Sequence, residues 1–314
     1  EINNSGYLQV EWSEGDHTSL YDPKWLRNNC YTLKNKNKYI SPYELWNKDL
    51  KRNFNTICID HDEILNSDEG LVKWLELLHH KGIAIIKNAP VKEKSAFPLL
   101  NRISHVRETF FKTPFEVINI PKPNNSAYTA HALRNHMDLP WFELPPGYQF
   151  LHCLVNSASG GDSSAVDGFA VGEYLKNNEK EIFDTLVRVP LKFRDMDYTQ
   201  ESHRGFHAPA ISLTKDGDFH DIRFSIATMD VLDCRPDLME KVYKAHRRFG
   251  KLLHDEKFQI NFRLGPGDIY SFNNRRILHG RTAFDPNSGH RHLQGYYMDR
   301  DEIIGRLNFL KKNS

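Results

Sequence analysis

The sequence lacks an excess of charge of either sign. Its 314 residues carry 42 Lys and Arg against 41 Asp and Glu, which gives a formal net charge of +1. Nucleic acids are bound by concentrated basic surfaces, so this balance argues against a nucleic-acid partner. Long hydrophobic runs are also missing, and none approaches the roughly 20 residues that a membrane-spanning helix needs. We therefore expect neither a nucleic-acid-binding protein nor a membrane protein.

Cysteine is scarce as well. Cys30, Cys58, Cys153 and Cys234 are scattered along the chain without a C-x-x-C pair. This spacing argues against a disulfide framework and favours reduced thiols, as in a cytoplasmic protein. The first residue is Glu1 and not Met, so a mitochondrial location is the alternative if a transit peptide was removed.

The sequence does have the material for a folded core, since 39% of its residues are hydrophobic and 12% are aromatic. Residues 7–12 alternate apolar and polar side chains, which predicts a half-buried strand. We assign residues 1–50 to a small N-terminal β module and residues 51–314 to a larger domain. In that domain, helical patterns are predicted from Leu71 onwards and over residues 92–111.

Beyond residue 120, short strand patterns are separated by frequent turn sequences such as Gly160-Gly161 and Gly265-Pro266-Gly267. Strands separated in this way predict an antiparallel sandwich or a jelly roll. Helical patterns near residues 170–187 and 236–254 interrupt the series. The predicted fold class is therefore mainly β with flanking helices.

His136-Met137-Asp138 is the first pattern that indicates chemistry. Residues two apart in a strand face the same side, so this imidazole and this carboxylate can bind one metal ion together. His279 is the natural third ligand, because two histidines and a carboxylate form a facial triad with open positions for a co-substrate and dioxygen. A lone His-x-Asp pair is common by chance. However, Arg291 follows His279 and could pair bidentately with a dicarboxylate co-substrate.

Five longer motifs occur in one order along the chain. They are Trp25-Leu-Arg-Asn-Asn-Cys30, His136-Met-Asp-Leu-Pro140, Pro146-Gly-Tyr-Gln-Phe-Leu-His-Cys153, Asn273-Asn-Arg-Arg-Ile-Leu-His279-Gly-Arg281 and Arg291-His-Leu-Gln-Gly295-Tyr-Tyr297. Together they resemble the γ-butyrobetaine dioxygenase branch of the Fe(II)/2-oxoglutarate-dependent oxygenases, the wider group that includes taurine dioxygenase. Trimethyllysine dioxygenase belongs to a sibling branch.

The resemblance implies a double-stranded β-helix, or jelly roll, as the catalytic core. The Fe(II) ligands would be His136, Asp138 and His279. The 2-oxoglutarate pocket would be formed by Arg291, which would hold the distal carboxylate, and by Leu151 and Thr282. The implied reaction hydroxylates an unactivated carbon with dioxygen while 2-oxoglutarate becomes succinate and carbon dioxide, and ascorbate serves as reductant.

The same branch carries a structural zinc in its N-terminal domain, bound by three cysteines and a histidine. Those cysteines are not present in this chain in the usual cluster. His17 is the best match to the zinc histidine, but we interpret it as an exposed turn histidine. We therefore expect no structural zinc in this chain.

The substrate of this branch has a trimethylammonium group, which only aromatic faces and shape can recognise. The resemblance places this aromatic cage at Tyr128, Tyr297, Phe111 and Phe115. The two phenylalanines stand where Tyr and Trp are expected, which predicts a weakened or reshaped cage. Their alternative role is core packing on a helix, four residues apart.

The substrate carboxylate has a less certain match. Asn125 corresponds to one carboxylate-binding asparagine of the branch, but Ser225-Ile226 replaces the second. Arg194, Arg223 or Thr228 could supply another anion contact. The predicted substrate is a small quaternary-ammonium zwitterion, with γ-butyrobetaine, which gives L-carnitine, as the first choice. Trimethyllysine, 2-(trimethylamino)ethylphosphonate, another amine or phosphonate, and desaturation instead of hydroxylation are the alternatives.

Other classes of function are less well supported. An inactive jelly-roll binding protein would not need the complete set of ligand residues, and a protein-directed hydroxylase is not favoured by a resemblance to small-molecule enzymes. The expected partners are therefore a small-molecule substrate and dioxygen. Relatives are often dimers, so a homodimer is left open.

Overall fold

The computed structural model divides into two compact units, Glu1–Pro42 and Tyr43–Ser314. It describes four stretches of the chain: residues 1–30, 43–118, 129–198 and 200–313. The predicted domain boundary at residue 50 falls inside the second unit. Trp46 and Leu50 are buried there in a hydrophobic cluster with strands of that unit, which ties this segment to it.

The first unit contains a β-hairpin and a short helix. Strand β1 (Leu8–Glu11) pairs with strand β2 (Thr18–Tyr21) in antiparallel fashion, at the position where the alternating pattern predicted a strand. Helix α1 (Pro23–Asn28) follows, and the Asp22 side chain caps it by accepting the Lys24 N–H at 2.7 Å. A capping Asp before a proline is a common helix start.

The second unit is rich in strands. In chain order its described strands are β3 (Cys58–Asp60), β4 (Ile83–Lys87), β5 (Phe115–Ile118), β6 (Leu133–His136), β7 (Tyr148–Asn156), β8 (Ser159–Gly160), β9 (Ser163–Asp167), β10 (Leu191–Asp197), β11 (Ser202–Ala208), β12 (Ile211–Leu213), β13 (Phe219–Ile222), β14 (Gln259–Phe262), β15 (Ile269–Asn273), β16 (Ile277–Arg281), β17 (Phe284–Asp285) and β18 (Arg291–Met298). The larger sheet has the order β3-β4-β15-β7-β18-β5, and a second sheet has the order β14-β9-β16-β6.

Helices flank these sheets. The described α-helices are α2 (His61–Asn66), α3 (Asp68–His80), α4 (Phe97–Leu100), α5 (Gly168–Asn178), α6 (Lys180–Arg188), α7 (Met239–Leu252) and α8 (Arg300–Asn313), with 3-10 helices at Lys48–Ile57 and Pro236–Leu238. No helix in the described part of the chain combines the length and hydropathy of a membrane span.

One part of the core lies between the two sheets. Cys153 and Leu293 of the larger sheet share one buried cluster with Ala165 and Ile277 of the smaller sheet. A second cluster covers the other face of the larger sheet with helices α3 and α8. This arrangement is the double-stranded β-helix that the sequence predicted, so the fold class is confirmed.

Helix α3 shows how local sequence produces one of these covering elements. The Ser67 side chain accepts the Gly70 N–H at 2.9 Å and caps the helix. Leu71, Trp74 and Leu78 then fall on one face and are buried. The predicted helix therefore forms, and its apolar face packs against the sheet.

The predicted helix over residues 92–111 is wrong. Only α4 is helical there, and the rest consists of turns and irregular chain. Lys94 has a left-handed backbone with φ of 63°, a conformation that a helix does not tolerate. Further along, the Arg107 N–H donates to the Tyr297 carbonyl at 2.8 Å, so the backbone there bridges to β18.

Candidate active site

Strand pairing brings the three predicted metal ligands together. Strand β16 pairs with β6 so that His279 lies opposite His136, and Asp138 follows β6 by two residues. Asp138 Oδ1 lies 3.3 Å from His136 Nε2 and 3.7 Å from His279 Nε2. One candidate ligand atom from each residue lies within 4.8 Å of the other two.

Backbone contacts hold the segment after β6 in place. The Met137 N–H donates to the Phe224 carbonyl at 3.0 Å, and the Met137 side chain is buried in the core. The Asn274 side-chain amide binds Asp138 twice: its Oδ1 accepts the Asp138 N–H at 2.8 Å, and its Nδ2 donates to the Asp138 carbonyl at 3.0 Å. Since side chains alternate in extended chain, His136 and Asp138 share the side opposite Met137.

Hydrogen bonds also orient the ligand side chains. His136 Nδ1 lies 2.7 Å from the Arg134 carbonyl, which assigns a proton to Nδ1 and turns Nε2 toward Asp138. The Tyr297 hydroxyl donates to Asp138 Oδ2 at 2.6 Å. The His279 ring packs against Phe272 with centroids 4.7 Å apart.

Burial and the mutual charges set the protonation of this cluster. Burial lowers the pKa of His279 to about 3, and the neighbouring His136 adds to the effect. Burial alone would raise the pKa of Asp138, but both histidines and the Tyr297 hydroxyl hold it well below its usual range. Burial alone would lower the pKa of His136, but the hydrogen bond and charge of Asp138 raise it. Asp138 is therefore ionised and His279 neutral at neutral pH, as metal ligands must be.

The donor set fits a divalent transition metal such as Fe(II). Two imidazole nitrogens and one carboxylate oxygen make up the facial triad that leaves positions open for other ligands. Within the described residues, this is the group of His, Cys, Asp or Glu side chains whose spacing allows a shared ion.

Arg291 begins strand β18 and has an unpaired charge. No carboxylate in the described stretches pairs with it, and its buried Nε has no hydrogen-bond partner there. Burial lowers its pKa to about 10, so the side chain stays positive at neutral pH. Gly161, with φ of 74°, lies against it, and a Cβ there would be 3.4 Å from Arg291 Cδ. A partly buried charge without a counter-ion is suited to an anionic ligand.

The other two residues predicted for the co-substrate pocket lie in different surroundings. Leu151 is in β7, between Tyr270 of β15 and Gly295 of β18, and is partly buried. Thr282 follows β16 and is exposed. Its Oγ1 accepts the Asp162 N–H at 2.9 Å, which leaves the hydroxyl proton available to another acceptor.

Arg281 is a residue of this region to which the sequence analysis gave no role. It is 5% exposed, and its Nη2 donates to the carbonyls of Thr129 and His131 at 2.7 and 2.9 Å. Burial, with the nearby charge of Arg291, lowers its pKa to about 10. The available signal was its spacing, because a residue two after His279 shares the same face of the strand.

Three of the predicted cage residues form an aromatic row. The Phe115 ring stacks on Tyr297 with centroids 4.8 Å apart, and Phe111 lies 6.3 Å from Phe115. Phe110, which the sequence analysis did not select, lies 4.1 Å from Phe111. Phe111 is in a turn and Phe115 begins β5, so the two do not share a helix. The alternative role of core packing does hold, because Phe115 is buried in a hydrophobic cluster and Phe111 packs against that cluster. Tyr128 and Asn125 lie outside the described residues.

Two of the suggested anion contacts are engaged elsewhere. Arg223 is buried, and its Nη1 donates to the Pro140 and Phe142 carbonyls at 2.5 and 2.7 Å. Arg194 Nε lies 3.1 Å from Asp230 Oδ1. Thr228 Oγ1 is buried and finds no hydrogen-bond partner among the described residues.

His17, the candidate zinc histidine, is exposed in the first unit. Its Nε2 lies 3.1 Å from Ser19 Oγ. This contact is the ordinary one of a hairpin side chain. Whether the protein lacks a structural zinc stays a prediction.

Comparison with known sequences gives a consistent result. Residues 46–297 match the family "Taurine catabolism dioxygenase TauD, TfdA family". The chain is 36% identical to the γ-butyrobetaine dioxygenase of Pseudomonas sp. (strain AK-1), over 99% of this chain and 80% of that protein. It is 31% identical to the γ-butyrobetaine dioxygenase of Homo sapiens, over 97% and 80%. It is also 31% identical to the mitochondrial trimethyllysine dioxygenase of Bos taurus, over 96% and 72%.

Solved structures support the same fold. An asparagine oxygenase superimposes with a TM-score of 0.61 at 15% identity, covering 77% of this chain and 93% of that chain. An Fe, α-ketoglutarate-dependent oxygenase from an isonitrile synthetic pathway gives a TM-score of 0.52 at 18% identity, covering 72% and 79%. At these identities, the likeness concerns the fold.

The family match spans most of the chain and includes the strands that position His136, Asp138 and His279. The dioxygenase class predicted from the sequence is confirmed by the same comparisons, and the Fe(II) and 2-oxoglutarate requirement stays a prediction. This chain therefore belongs to the TauD/TfdA family of dioxygenases.

Proposed function

We propose that this protein hydroxylates γ-butyrobetaine to L-carnitine, with 2-oxoglutarate and dioxygen as co-substrates and succinate and carbon dioxide as co-products. The observation that carries the proposal is that the 36% identity to a γ-butyrobetaine dioxygenase extends over 99% of the chain. The convergence of two histidines and an aspartate in one site supports it independently.

His136, Asp138 and His279 are the proposed Fe(II) ligands. When bound, Fe(II) with 2-oxoglutarate supplies the activation of dioxygen and the oxidation of an unactivated C–H bond. The protein contributes ligands whose protonation suits a metal, since Asp138 is ionised and His279 is neutral at neutral pH. Asn274 contributes position, because it fixes the Asp138 backbone from both sides.

The proposed 2-oxoglutarate pocket is formed by Arg291, Leu151 and Thr282. The Arg291 guanidinium would pair with the distal carboxylate, and this would satisfy a partly buried charge that has no carboxylate partner among the described residues. Leu151 would contribute an apolar wall. The Thr282 hydroxyl proton would be a second donor to the carboxylate.

The proposed substrate contacts are aromatic. Phe111, Phe115 and Tyr297 lie in one row, and the faces of such rings attract a trimethylammonium group that cannot accept or donate a hydrogen bond. Tyr128 and Asn125 are proposed as further contacts on the basis of the sequence resemblance alone. A cytoplasmic location, a homodimer and the absence of a nucleic-acid partner stay predictions, as does the use of ascorbate.

Succinate formation with Fe(II), ascorbate and 2-oxoglutarate tests the proposal. The panel contains γ-butyrobetaine, trimethyllysine and 2-(trimethylamino)ethylphosphonate, each beside its unmethylated form. We expect γ-butyrobetaine to stimulate succinate formation most and its unmethylated form to have little effect. The matched control is His136→Ala, which should form no succinate with any compound.

The alternatives give distinct results. If trimethyllysine or the phosphonate alone stimulates turnover, the substrate is wrong and the class of reaction stands. If an unsaturated product forms, the outcome is desaturation. If no compound stimulates turnover in a preparation that binds Fe(II), the quaternary-ammonium substrate class is wrong.

A further inference from the structure

Tyr297 makes two different contacts with its two ends. Its hydroxyl donates to Asp138 Oδ2 at 2.6 Å, and its ring stacks on Phe115 at 4.8 Å and 24°. The residue is 3% exposed, so bulk water has little access to the hydroxyl. The sequence resemblance accounts for the ring as part of the substrate cage and leaves the hydroxyl without a role.

The hydroxyl distinguishes the two oxygens of Asp138. Oδ1 faces both histidine Nε2 atoms, at 3.3 and 3.7 Å, whereas Oδ2 accepts the phenol proton. A hydroxyl-to-carboxylate contact of this length is a charge-assisted hydrogen bond, which is stronger than a neutral one. Without it, the carboxylate could rotate and exchange its oxygens, because the Asn274 contacts hold only the backbone of Asp138.

We propose that Tyr297 is a positioning residue for the metal site. Its hydroxyl holds Asp138 with one oxygen, Oδ1, turned toward His136 and His279, and this preorganised carboxylate strengthens Fe(II) binding. The inference rests on the proposed metal site. Hydrogen-bonding partners of metal ligands commonly contribute in this way, and their loss typically lowers metal affinity by about 10- to 100-fold.

The neighbouring tyrosine provides a matched control. Tyr296 is fully buried, and its hydroxyl lies 3.3 Å from Gln294 Oε1. Its ring packs against Phe97 on the other face of the sheet. Tyr296→Phe therefore removes the same atom from the adjacent residue without reaching Asp138.

The experiment measures Mn(II) binding to the metal-free full chain by electron paramagnetic resonance. The proteins are the wild type, Tyr297→Phe, Tyr296→Phe and His136→Ala. We expect Tyr297→Phe to bind Mn(II) about tenfold more weakly than the wild type, and Tyr296→Phe to bind it like the wild type. Because Tyr297→Phe keeps the ring, a loss of Mn(II) affinity in this variant reports on the hydroxyl alone.

Each contrary result has one meaning. If Tyr297→Phe binds Mn(II) as tightly as the wild type and Tyr296→Phe do, the positioning role is wrong. If its Mn(II) affinity is unchanged while its KM for γ-butyrobetaine rises, the hydroxyl serves the substrate and the inference is again overturned. If His136→Ala binds Mn(II) like the wild type, the proposed metal site itself is wrong.

The absorption spectrum of bound Co(II) gives a second measurement that does not depend on turnover. A changed Asp138 geometry should alter the Co(II) spectrum of Tyr297→Phe and leave that of Tyr296→Phe unchanged. Identical spectra for all folded proteins would contradict the inference.

Discussion

Two buried charged clusters of this protein, the candidate metal site and the Asp167–Arg276 ion pair, differ in how completely the chain satisfies them. Arg276 donates to both carboxylate oxygens of Asp167, at 2.9 and 2.7 Å, and to the carbonyls of His80 and Glu44. Both residues of the ion pair are fully buried. The protein itself therefore supplies the hydrogen-bond partners of this ion pair.

Aromatic rings and backbone groups complete this ion pair. The Arg276 guanidinium lies 5.2 Å from the ring centroids of both Tyr43 and Phe169. The Asp167 carboxylate also accepts the N–H groups of Trp46 and Phe169, at 3.2 and 3.0 Å. A buried pair of this kind is tolerated because every polar atom has a partner.

The candidate active site is incomplete by the same standard. His279 Nδ1 and Arg291 Nε are buried without a hydrogen-bond partner in the stretches that the structure describes, and the two histidine Nε2 atoms face one carboxylate oxygen. In this protein the structural ion pair is saturated by its own chain, whereas the candidate site for ligands leaves polar atoms unsatisfied. Removing a side chain from each should therefore have opposite effects on stability and function.

The largest expected effect is on turnover. His136→Ala removes a proposed metal ligand, so substrate-dependent succinate formation should fall below detection. Because the His136 side chain is partly exposed and lies outside the hydrophobic core clusters, the free energy of unfolding should change by only about 1 kcal/mol. Urea unfolding and succinate assays on the same preparation test both statements, and substantial turnover by the folded variant would contradict the assignment.

The second effect is on stability. Asp167→Asn leaves the Arg276 charge buried without its counter-ion, which should lower the free energy of unfolding by about 3–5 kcal/mol. The control is Asp184→Asn, whose partner Lys180 is exposed at 3.2 Å one helical turn away; this change should cost less than about 1 kcal/mol. Urea unfolding measures both variants. Equal losses in the free energy of unfolding would contradict the expectation that the buried ion pair stabilises the protein more than the exposed one.

His152 combines features of both clusters. It is buried like the ion pair, and its ring nitrogens lack hydrogen-bond partners like atoms of the candidate active site. It is fully buried, and neither ring nitrogen has a partner among the described residues. Burial lowers its pKa to about 4, against about 6.5 for an unfolded histidine. The unfolded chain therefore binds the extra proton first, and this contribution to stability, complete above pH 6.5, is lost as the pH falls toward 4.

The matching variant is His152→Leu, and its effect should be the smallest. It removes an unsatisfied imidazole, so it should raise the free energy of unfolding at pH 7 by about 1 kcal/mol. It should also reduce the loss of stability between pH 6.5 and pH 4. His246, whose pKa burial also lowers to about 4, should retain its share of that loss. An unchanged pH dependence would mean that His152 has a proton acceptor or donor in the folded protein.

Much of the candidate site could be predicted because it depends on short motifs of residues that are close together in the sequence. The pair His136 and Asp138 has strand spacing, so a shared face follows from backbone geometry alone. His279 and Arg291 lie in motifs with a known order. The failures were of a different kind: residues 92–111 have helical composition, but the Lys94 backbone and the Arg107 bridge to β18 decide their conformation.

The jelly-roll class, the three candidate ligands and the kind of chemistry could be inferred without a structure, since they depend on residue type, short spacing and motif order. Three contacts required the folded chain: His279 lies opposite His136, Asn274 holds the Asp138 backbone, and the Tyr297 hydroxyl donates to one Asp138 oxygen. Each of these contacts joins strands or turns that are remote in the chain. Their register is set by the packing of whole sheets, which no local pattern specifies.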